Sequence, residues 1–194
     1  LCLQSGSDRM LLAMRRHYTV GDYLSFVEKV RAVQPFFNIT TDIMVGFPGE
    51  TDREFEETCD VTRKVEFSHI HTFPYSVREG TRAARMAGQV PSKIKAARSK
   101  IIRDISDEGK RRYRSKLLGK PQRVLIERIQ DGYARGYGEN YVPVEIPVNP
   151  SGIPIENTFI DVHLETLAED SDPVFSGNIG GKYAEQSRRT NRSL

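Results

Sequence analysis

The sequence predicts an α/β fold joined to a small antiparallel β-barrel, and three observations carry that expectation. Residues 39–75 read as strand, helix, strand; residues 92–118 repeat apolar side chains at helical spacing; residues 121–179 lose that period and show short strands between turn residues. The boundaries expected are 1–118 for the α/β part, including a connecting helix at 92–118, then 119–181 for the barrel and 182–194 for a polar, disordered tail.

Taken in order, Leu1-Cys2-Leu3 reads as the end of a strand already under way, so the 194 residues are expected to be a fragment of a longer chain. Ser5-Gly6-Ser7-Asp8 is a turn with N-cap chemistry, and Met10, Leu11, Leu12 and Met14 give the short helix after it an apolar face. Thr19 caps the next helix, in which Tyr23, Phe26, Val27 and Val30 recur near helical spacing. Ile39 to Val45 is an apolar, β-branched run broken by Asp42, the pattern of a parallel strand covered on both faces. Thr51 and Glu54 form a capping box that starts a helix, and Phe55, Cys59 and Val65 face the sheet. Ser68 to Tyr75 is the second strand, so the unit is βαβ with a right-handed crossover.

Residues 76–91 read as a long ordered loop. In the helix at 92–118, Ile94, Ala97, Ile101 and Ile105 mark the apolar face and Gly119 the C-cap. Turns at Asp131-Gly132, Gly136 to Asn140 and Pro150 to Gly152 divide the remainder into about five short strands, enough for a barrel of about 60 residues.

Composition narrows the function classes. With 38% hydrophobic and 28% charged residues the chain is an ordinary globular protein. No apolar run approaches the roughly 20 residues that span a bilayer, and a cytoplasmic location is expected. Cys2 and Cys59 have neither metal-ligand spacing nor a disulfide framework. The net charge of +3 hides an asymmetry: residues 93–123 hold 12 Lys and Arg against 3 acids, whereas 1–92 hold 11 against 12 and 124–194 hold 6 against 11. That stripe is either a polyanion footprint or a solvated helix face.

The turn Gly46-Phe47-Pro48-Gly49-Glu50-Thr51 lacks the spacing and the lysine of a nucleoside triphosphate loop, and it is not G-x-G-x-x-G. It remains a place where backbone at Gly46 and Gly49 can approach a ligand, or simply a tight strand-to-helix connection. Asp42 is costly in an apolar strand unless it faces a cavity or meets a partner such as an arginine from the next strand. Parallel strands bring their carboxyl ends together, so Gln4-Ser5-Gly6-Ser7, Asp42 to Glu50 and Tyr75 to Arg78 should converge. His69 and His71 share one strand face without a third ligand in view, which favours packing over metal.

These motifs, read together, carry a resemblance. Leu3-Gln4-Ser5-Gly6-Ser7-Asp8, Arg16-His17-Tyr18-Thr19, Thr40-Thr41-Asp42-Ile43, Val45-Gly46-Phe47-Pro48-Gly49-Glu50-Thr51, and Tyr75-Ser76 with Arg78, Gly80-Thr81 and Ala83-Ala84 resemble, in order and spacing, the second half of radical S-adenosylmethionine methylthiotransferases. The basic helix and barrel resemble that family's connection to a C-terminal TRAM domain, an RNA-binding barrel. The resemblance implies the second half of a partial radical-SAM (β/α) barrel and a cytoplasmic enzyme that replaces C–H by C–SCH3. It implies two [4Fe–4S] clusters, one held by CxxxCxxC and one on an N-terminal domain, and S-adenosylmethionine as cofactor. With only Cys2 and Cys59 this chain has no metal ligands for either cluster and is expected to be inert alone, its missing N-terminal domains being partners. The residues implied for the S-adenosylmethionine cavity are Gln4, Ser5, Asp42, Val45, Gly46, Gly49 and Tyr75. Those implied for RNA are Arg78, Lys110, Arg111, Arg112 and Arg114, with the anticodon stem-loop of tRNA as partner. Arg78 fits the tRNA branch better than the branch acting on a ribosomal-protein aspartate. His71 and Phe73-Pro74-Tyr75-Ser76 are most similar to the group acting on threonylcarbamoyladenosine at position 37. A non-catalytic RNA-binding module is the alternative of a different class.

Overall fold

A computed structural model describes residues 2–148, 156–167 and 175–179. The chain divides into two compact units, Leu1–Tyr113 and Arg114–Leu194. The first contains helix α1 (Asp8–Ala13), helix α2 (Val20–Val33), strand β1 (Thr40–Val45), helix α3 (Asp52–Val65), strand β2 (His69–Pro74) and most of helix α4 (Ser92–Leu117). Residues Ala83–Arg85 make a single 3₁₀ turn in the loop before α4.

Local chemistry sets the helix starts. Thr19 and Thr51 both form full capping boxes, with Asp22 and Glu54 reaching back to the cap amides. α1 ends in a Schellman arrangement: Arg15 N–H donates to Leu12 O (3.0 Å) and Arg16 N–H to Leu11 O (2.9 Å), with Arg15 at φ 59° in the left-handed position glycine usually takes.

β1 and β2 pair in parallel, with Asp42 opposite His71 and Met44 opposite Phe73. A third parallel segment flanks β1, where Gln4 N–H donates to Asp42 O and Met44 N–H to Gln4 O, both at 2.9 Å. Cys2-Leu3 thus leads into a strand edge, in line with the sequence. β1 does not have two covered faces, however. Thr41, Ile43 and Val45 are buried, whereas Asp42 and Met44 are half-buried and their β2 partners His71 and Phe73 are exposed. The covered face packs Leu3, Ile43, Val45 and Ile70 against Tyr23 and Val27 of α2, Phe55, Cys59 and Val65 of α3, and Ile102 of α4.

Two helix faces differ from their sequence reading. Phe26 of α2 is exposed. In α4 the buried positions are Arg98, Ser99, Ile102, Ser106, Gly109, Arg114 and Leu117, with Ile105 half-buried against the core, while Ile94, Ala97 and Ile101 are exposed. Polar and close-packing contacts set this phase: Ser106 Oγ accepts from Ile70 N–H (2.9 Å), and a Cβ at Gly109 would lie 2.3 Å from Phe67 O. Apolar periodicity alone missed a helix docked by a serine and a glycine.

The second unit is a closed barrel of strands β3 (Pro121–Gln130), β4 (Tyr133–Gly138), β5 (Pro143–Pro147), β6 (Phe159–Leu167) and β7 (Phe175–Ile179), in spatial order β3-β4-β5-β7-β6. It is mixed rather than wholly antiparallel, because β5 and β7 pair in parallel. Asp131 and Gly132, both at positive φ, make the β3–β4 turn as expected. Gly136 instead lies inside β4, where a Cβ would sit 1.8 Å from Leu125 O, and the chain turns after Gly138. The core is Val124, Ile126, Ala134, Val144, Ile146, Ile160, Val162, Leu164 and Phe175. The expected turn at Pro150 to Gly152 and the polar tail at 182–194 lie outside the described residues.

Candidate functional site

The three strand ends converge as parallel pairing requires. Gln4 is hydrogen-bonded into the edge of β1, and Tyr75 N–H donates to Val45 O (2.9 Å). Beyond them Met10, Phe47 and Tyr75 form a small core of their own, with Met14, Met44, Ala83 and Met86 packed against it. All four methionines of the chain meet here. Phe47 and Tyr75 pack edge to face at 5.4 Å. Arg78 is exposed on the loop that follows, its carbonyl accepting from the hydroxyl of Thr81 (2.7 Å).

The residues expected to line a cofactor cavity divide into two groups. Ser5, Val45 and Gly46 are spent on the fold. Ser5 is fully buried with Oγ 3.3 Å from Thr58 Oγ1, and Val45 belongs to the main core. Gly46 N–H donates to Glu50 Oε2 (2.6 Å), and a Cβ at Gly46 would lie 2.2 Å from Cγ of Lys95, whose ammonium donates to Tyr75 O (2.8 Å). The backbone of Gly46 is therefore approached by a lysine stem rather than left open. At Gly49 the amide donates to Gly88 O (2.8 Å) and the carbonyl accepts from Arg9 (2.6 Å), although nothing stands within 4 Å of its missing Cβ.

Gln4, Asp42 and Tyr75 retain chemistry for a ligand. Asp42 meets a thiol, not the expected arginine: Cys2 Sγ donates to Oδ2 at 3.0 Å, and this bond raises the Cys2 pKa. Half-exposed on the open face of the sheet, the carboxylate keeps much of its hydration, so its place in the strand costs little. The Tyr75 hydroxyl is buried with no hydrogen-bond partner. An unpaired buried hydroxyl costs about 1–3 kcal/mol, which an acceptor on a bound molecule would recover.

Sequence reasoning missed the pair that holds the turn. Glu50 and Arg98 side chains are 1% and 6% exposed, and Arg98 donates to Glu50 Oε2 (2.6 Å), to Glu50 O (3.2 Å) and to Asp52 Oδ1 (2.7 Å). Burial pushes the Glu50 carboxyl upward, and the Gly46 amide and Arg98 pull it back. The available signal was an acid between Gly49 and the cap Thr51; its partner was concealed by counting Arg98 in the basic run. Arg9 forms a second clamp, bonding both carboxylate oxygens of Glu54 and holding that group well below its usual range, at about 2.

The basic helix is less available than its charge suggests. Lys95 and Arg98 are engaged as above, Lys100 pairs with Asp104 (2.7 Å), and Arg112 pairs with Glu66 (2.8 Å). Arg114 is buried. Among the proposed RNA contacts, Arg112 is thus committed to an ion pair and Arg114 to burial, which a count of charge along the chain does not see.

Two depressions open in the first unit. One of about 570 Å³ lies at Gly6, Asp8, Arg9, Thr51 and Glu54, whose polar groups are largely bonded to one another. The other, about 240 Å³, lies at the methionine cluster and is lined by Gln4, Met14, Met44, Phe47 and Met86 together with Arg15, Arg16 and Arg82.

On the barrel, the pairing register aligns Phe159, Leu125, Tyr137 and Pro143 in one row across four strands. Phe159 and Tyr137 are about half exposed, the Arg123 guanidinium lies 5.2 Å over the Phe159 ring, and Arg135 lies 5.8 Å over Tyr133. Exposed aromatic rings beside guanidinium groups have the chemistry on which a planar ring can stack.

Among the described residues no three His, Cys, Asp or Glu converge on a metal site. Cys59 is buried in the main core with its thiol pushed up to about 11, unsuited to ligation. His69 and His71 pack edge to face at 4.4 Å. No helix among the described residues is long and apolar enough to cross a membrane.

The chain thus has an α/β unit with a strand-end cleft and a closed β-barrel with exposed aromatic and arginine side chains. Residues 1–62 match the radical SAM superfamily. Over 171 residues the chain is 41% identical to the threonylcarbamoyladenosine tRNA methylthiotransferase MtaB of Thermotoga maritima, covering 88% of this chain and 38% of that protein. It is 36% identical over 170 residues to the protein of the same name from Chlamydia pneumoniae, covering 88% and 40%. It is 48% identical over 135 residues to the tRNA-2-methylthio-N(6)-dimethylallyladenosine synthase of Caldicellulosiruptor saccharolyticus, covering 70% and 28%. The chain is thus similar over residues 1–62 to the radical S-adenosylmethionine superfamily and over most of its length to part of these tRNA methylthiotransferases. It spans about two fifths or less of the length of these relatives.

Proposed function

We propose that the chain is the later part of a tRNA methylthiotransferase that acts on an N6-modified adenosine at position 37, with threonylcarbamoyladenosine favoured. The carrying observation is the convergence of three strand ends: Gln4, Met44 and Phe47 line one methionine-rich cleft with arginines in its lining, and Tyr75 packs on Phe47. The names of the relatives supply the reaction class. S-adenosylmethionine, when bound, would supply the radical and the transferred methyl group. Here Gln4, Asp42 and the unpaired Tyr75 hydroxyl would bond its polar atoms, and the polypeptide of Gly46 to Gly49, stiffened by Glu50–Arg98 and Arg9, would wall it. The cluster ligands are not among the residues of this chain, since Cys2 and Cys59 are the only cysteines and Cys59 is in the core. The chain alone is therefore expected to be inert, and its upstream domains are its necessary partners.

The test uses the longer protein from the same gene, reconstituted with iron and sulfide. Mass spectrometry of its tRNA should show methylthiolated adenosine 37, and unchanged adenosine 37 would defeat the reading. A second reading, an RNA-binding module without chemistry, is supported by the aromatic row on the barrel. It expects this chain alone to bind an anticodon stem-loop with an affinity that falls steeply with salt.

A further inference from the structure

Residues 78–89, in the loop between β2 and α4, are bonded mainly to one another. The Thr81 hydroxyl donates to Arg78 O (2.7 Å) and accepts from Ala84 N–H (3.2 Å). Arg85 N–H donates to Arg82 O (3.0 Å) and Met86 N–H to Ala83 O (3.2 Å). The Gln89 side-chain amide donates to Ala83 O (3.0 Å) and Met86 O (3.1 Å). Among the described residues, one hydrogen bond joins this segment to the remainder, from Gly49 N–H to Gly88 O (2.8 Å). Its other anchor is apolar: half-buried Ala83 and Met86 pack against the cluster of Met10, Phe47 and Tyr75. Gly80 and Gly88 stand near its two ends at φ 81° and 75°, and nothing lies within 4 Å of the missing Cβ of Gly80. A piece bonded internally, tethered once and flanked by glycines is built to turn on its ends without coming apart.

Two observations point to movement of this piece. The cleft it borders, with Arg82, Ala83 and Met86 in its lining, is about 240 Å³, below the roughly 300–1,000 Å³ of ordinary ligand sites. Tyr75 is not in that lining: its hydroxyl is buried and unpaired within the cluster that Ala83 and Met86 pack against. As the cleft stands, that hydroxyl does not reach a molecule inside it. Lifting residues 78–89 off the cluster uncovers Tyr75 and widens the cleft on the same side. The glycine-rich turn stays in place, because Arg98 and Arg9, both outside the segment, hold Glu50, Asp52 and Gly49 O.

We propose that residues 78–89 are a lid on the strand-end cleft, hinged at Gly80 and Gly88 and latched by the Gly49–Gly88 bond. The lid swings as one piece, breaking the latch and none of its internal bonds. It opens to give a ligand access to Tyr75, and it closes with Arg82 and Met86 against that ligand. The occupant rests on the S-adenosylmethionine reading above, whereas the movement rests on the bonds of this segment and on its cover over Tyr75.

Amide hydrogen exchange, read by NMR on the 194-residue chain and corrected for intrinsic rates, tests the movement. Gly46 N–H is held by Glu50, outside the lid, and Gly49 N–H by Gly88, on it, so two amides of one turn report different events. Gly49 is expected to exchange about tenfold faster than Gly46, and M86A, which removes the apolar anchor, to quicken Gly49 about tenfold further with Gly46 unchanged. G88A, whose Cβ would stand 3.2 Å from the Gly49 nitrogen, should show the same pattern by weakening the latch. Equal exchange at Gly46 and Gly49 overturns the lid. Exchange of the Arg85 and Met86 amides as fast as Gly49 also overturns it, because the segment then unravels rather than swings. In the longer protein from the same gene, reconstituted with iron and sulfide, S-adenosylmethionine retained in equilibrium dialysis should slow exchange across residues 78–89, and M86A should raise its Kd about tenfold. Retained S-adenosylmethionine with unchanged exchange across 78–89 overturns the lid and spares the cofactor reading. No retained S-adenosylmethionine removes that reading, and the lid then stands or falls on Gly46 against Gly49.

Discussion

Replacing Arg98 with methionine should destabilise the first unit by about 3–5 kcal/mol, the usual cost of removing one partner from a buried ion pair. The structure supports the full range. The Glu50 side chain is 1% exposed and would keep only the Gly46 amide as a donor, while methionine retains most of the aliphatic packing and loses the guanidinium 5.2 Å from the Phe55 ring. The penalty comes mainly from a buried, unpaired carboxylate, and that makes a second variant informative. Glu50→Gln in the R98M background removes the charge yet keeps an acceptor for Gly46 N–H, so the double variant should recover roughly 2 kcal/mol.

The pH dependence has a fixed sign. Burial already raises Glu50 in the folded protein above its ordinary 4.5, and loss of Arg98 raises it further. A carboxyl group with a raised folded value favours the folded state while protonated and loses that advantage as pH rises from its unfolded value through its folded one. The R98M deficit should therefore be smallest near pH 4–5 and largest near neutrality, and the double variant should show no such trend. Urea unfolding followed by circular dichroism at 222 nm reads this without tryptophan, which the chain lacks. A deficit below about 1 kcal/mol at pH 7, or a double variant no more stable than R98M, would refute the account of the turn as held by this pair.

Further outcomes follow from other contacts. R15G should raise the unfolding free energy by about 1 kcal/mol by relieving the left-handed arginine, which urea denaturation measures. E54Q should lower stability at neutral pH and lose that difference in acid. The Arg9-bonded carboxylate, folded value about 2, stabilises above about pH 4.5 and ceases to as pH falls towards 2, which acid titrations of both proteins would show. G46A should cost about 1–3 kcal/mol, since its φ of +71° disfavours a side chain and the new Cβ displaces the Lys95 stem; thermal unfolding measures it. Y137A with F159A should weaken single-stranded RNA binding by about 1–3 kcal/mol per stacked base in fluorescence anisotropy, with little change in barrel stability.

What was legible in the sequence was local. Capping boxes at Thr19 and Thr51, the βαβ order, the Asp131-Gly132 turn and the meeting of three strand ends all follow from short-range chemistry or from the geometry of parallel strands. The phase of α4 was not legible, because its docking depends on Ser106 meeting the Ile70 amide and Gly109 meeting Phe67 O, contacts between residues about 40 apart in the chain. The parallel β5–β7 pair was hidden for the same reason, since barrel closure is a long-range choice that strand patterns do not encode. Asp42 was expected to face a cavity or meet an arginine; it is half-exposed on the open sheet face and is bonded by Cys2, a contact that nothing in its strand pattern signals.

The glycine-rich turn shows why motif spacing overstates a ligand's share of a site. Gly46 and Gly49 have the positive φ that such turns require, yet Glu50 takes one amide, Gly88 the other, and Lys95 fills the space beside Gly46. A turn so fully bonded is rigid, and rigidity rather than open amides is what it contributes: it fixes Phe47 and the end of β1 at the floor of the cleft. On this argument R98M should loosen the floor of the cleft as well as destabilise the unit: hydrogen exchange at the Gly46 and Gly49 amides should quicken in R98M, and unchanged exchange there would count against the turn's being held by this pair.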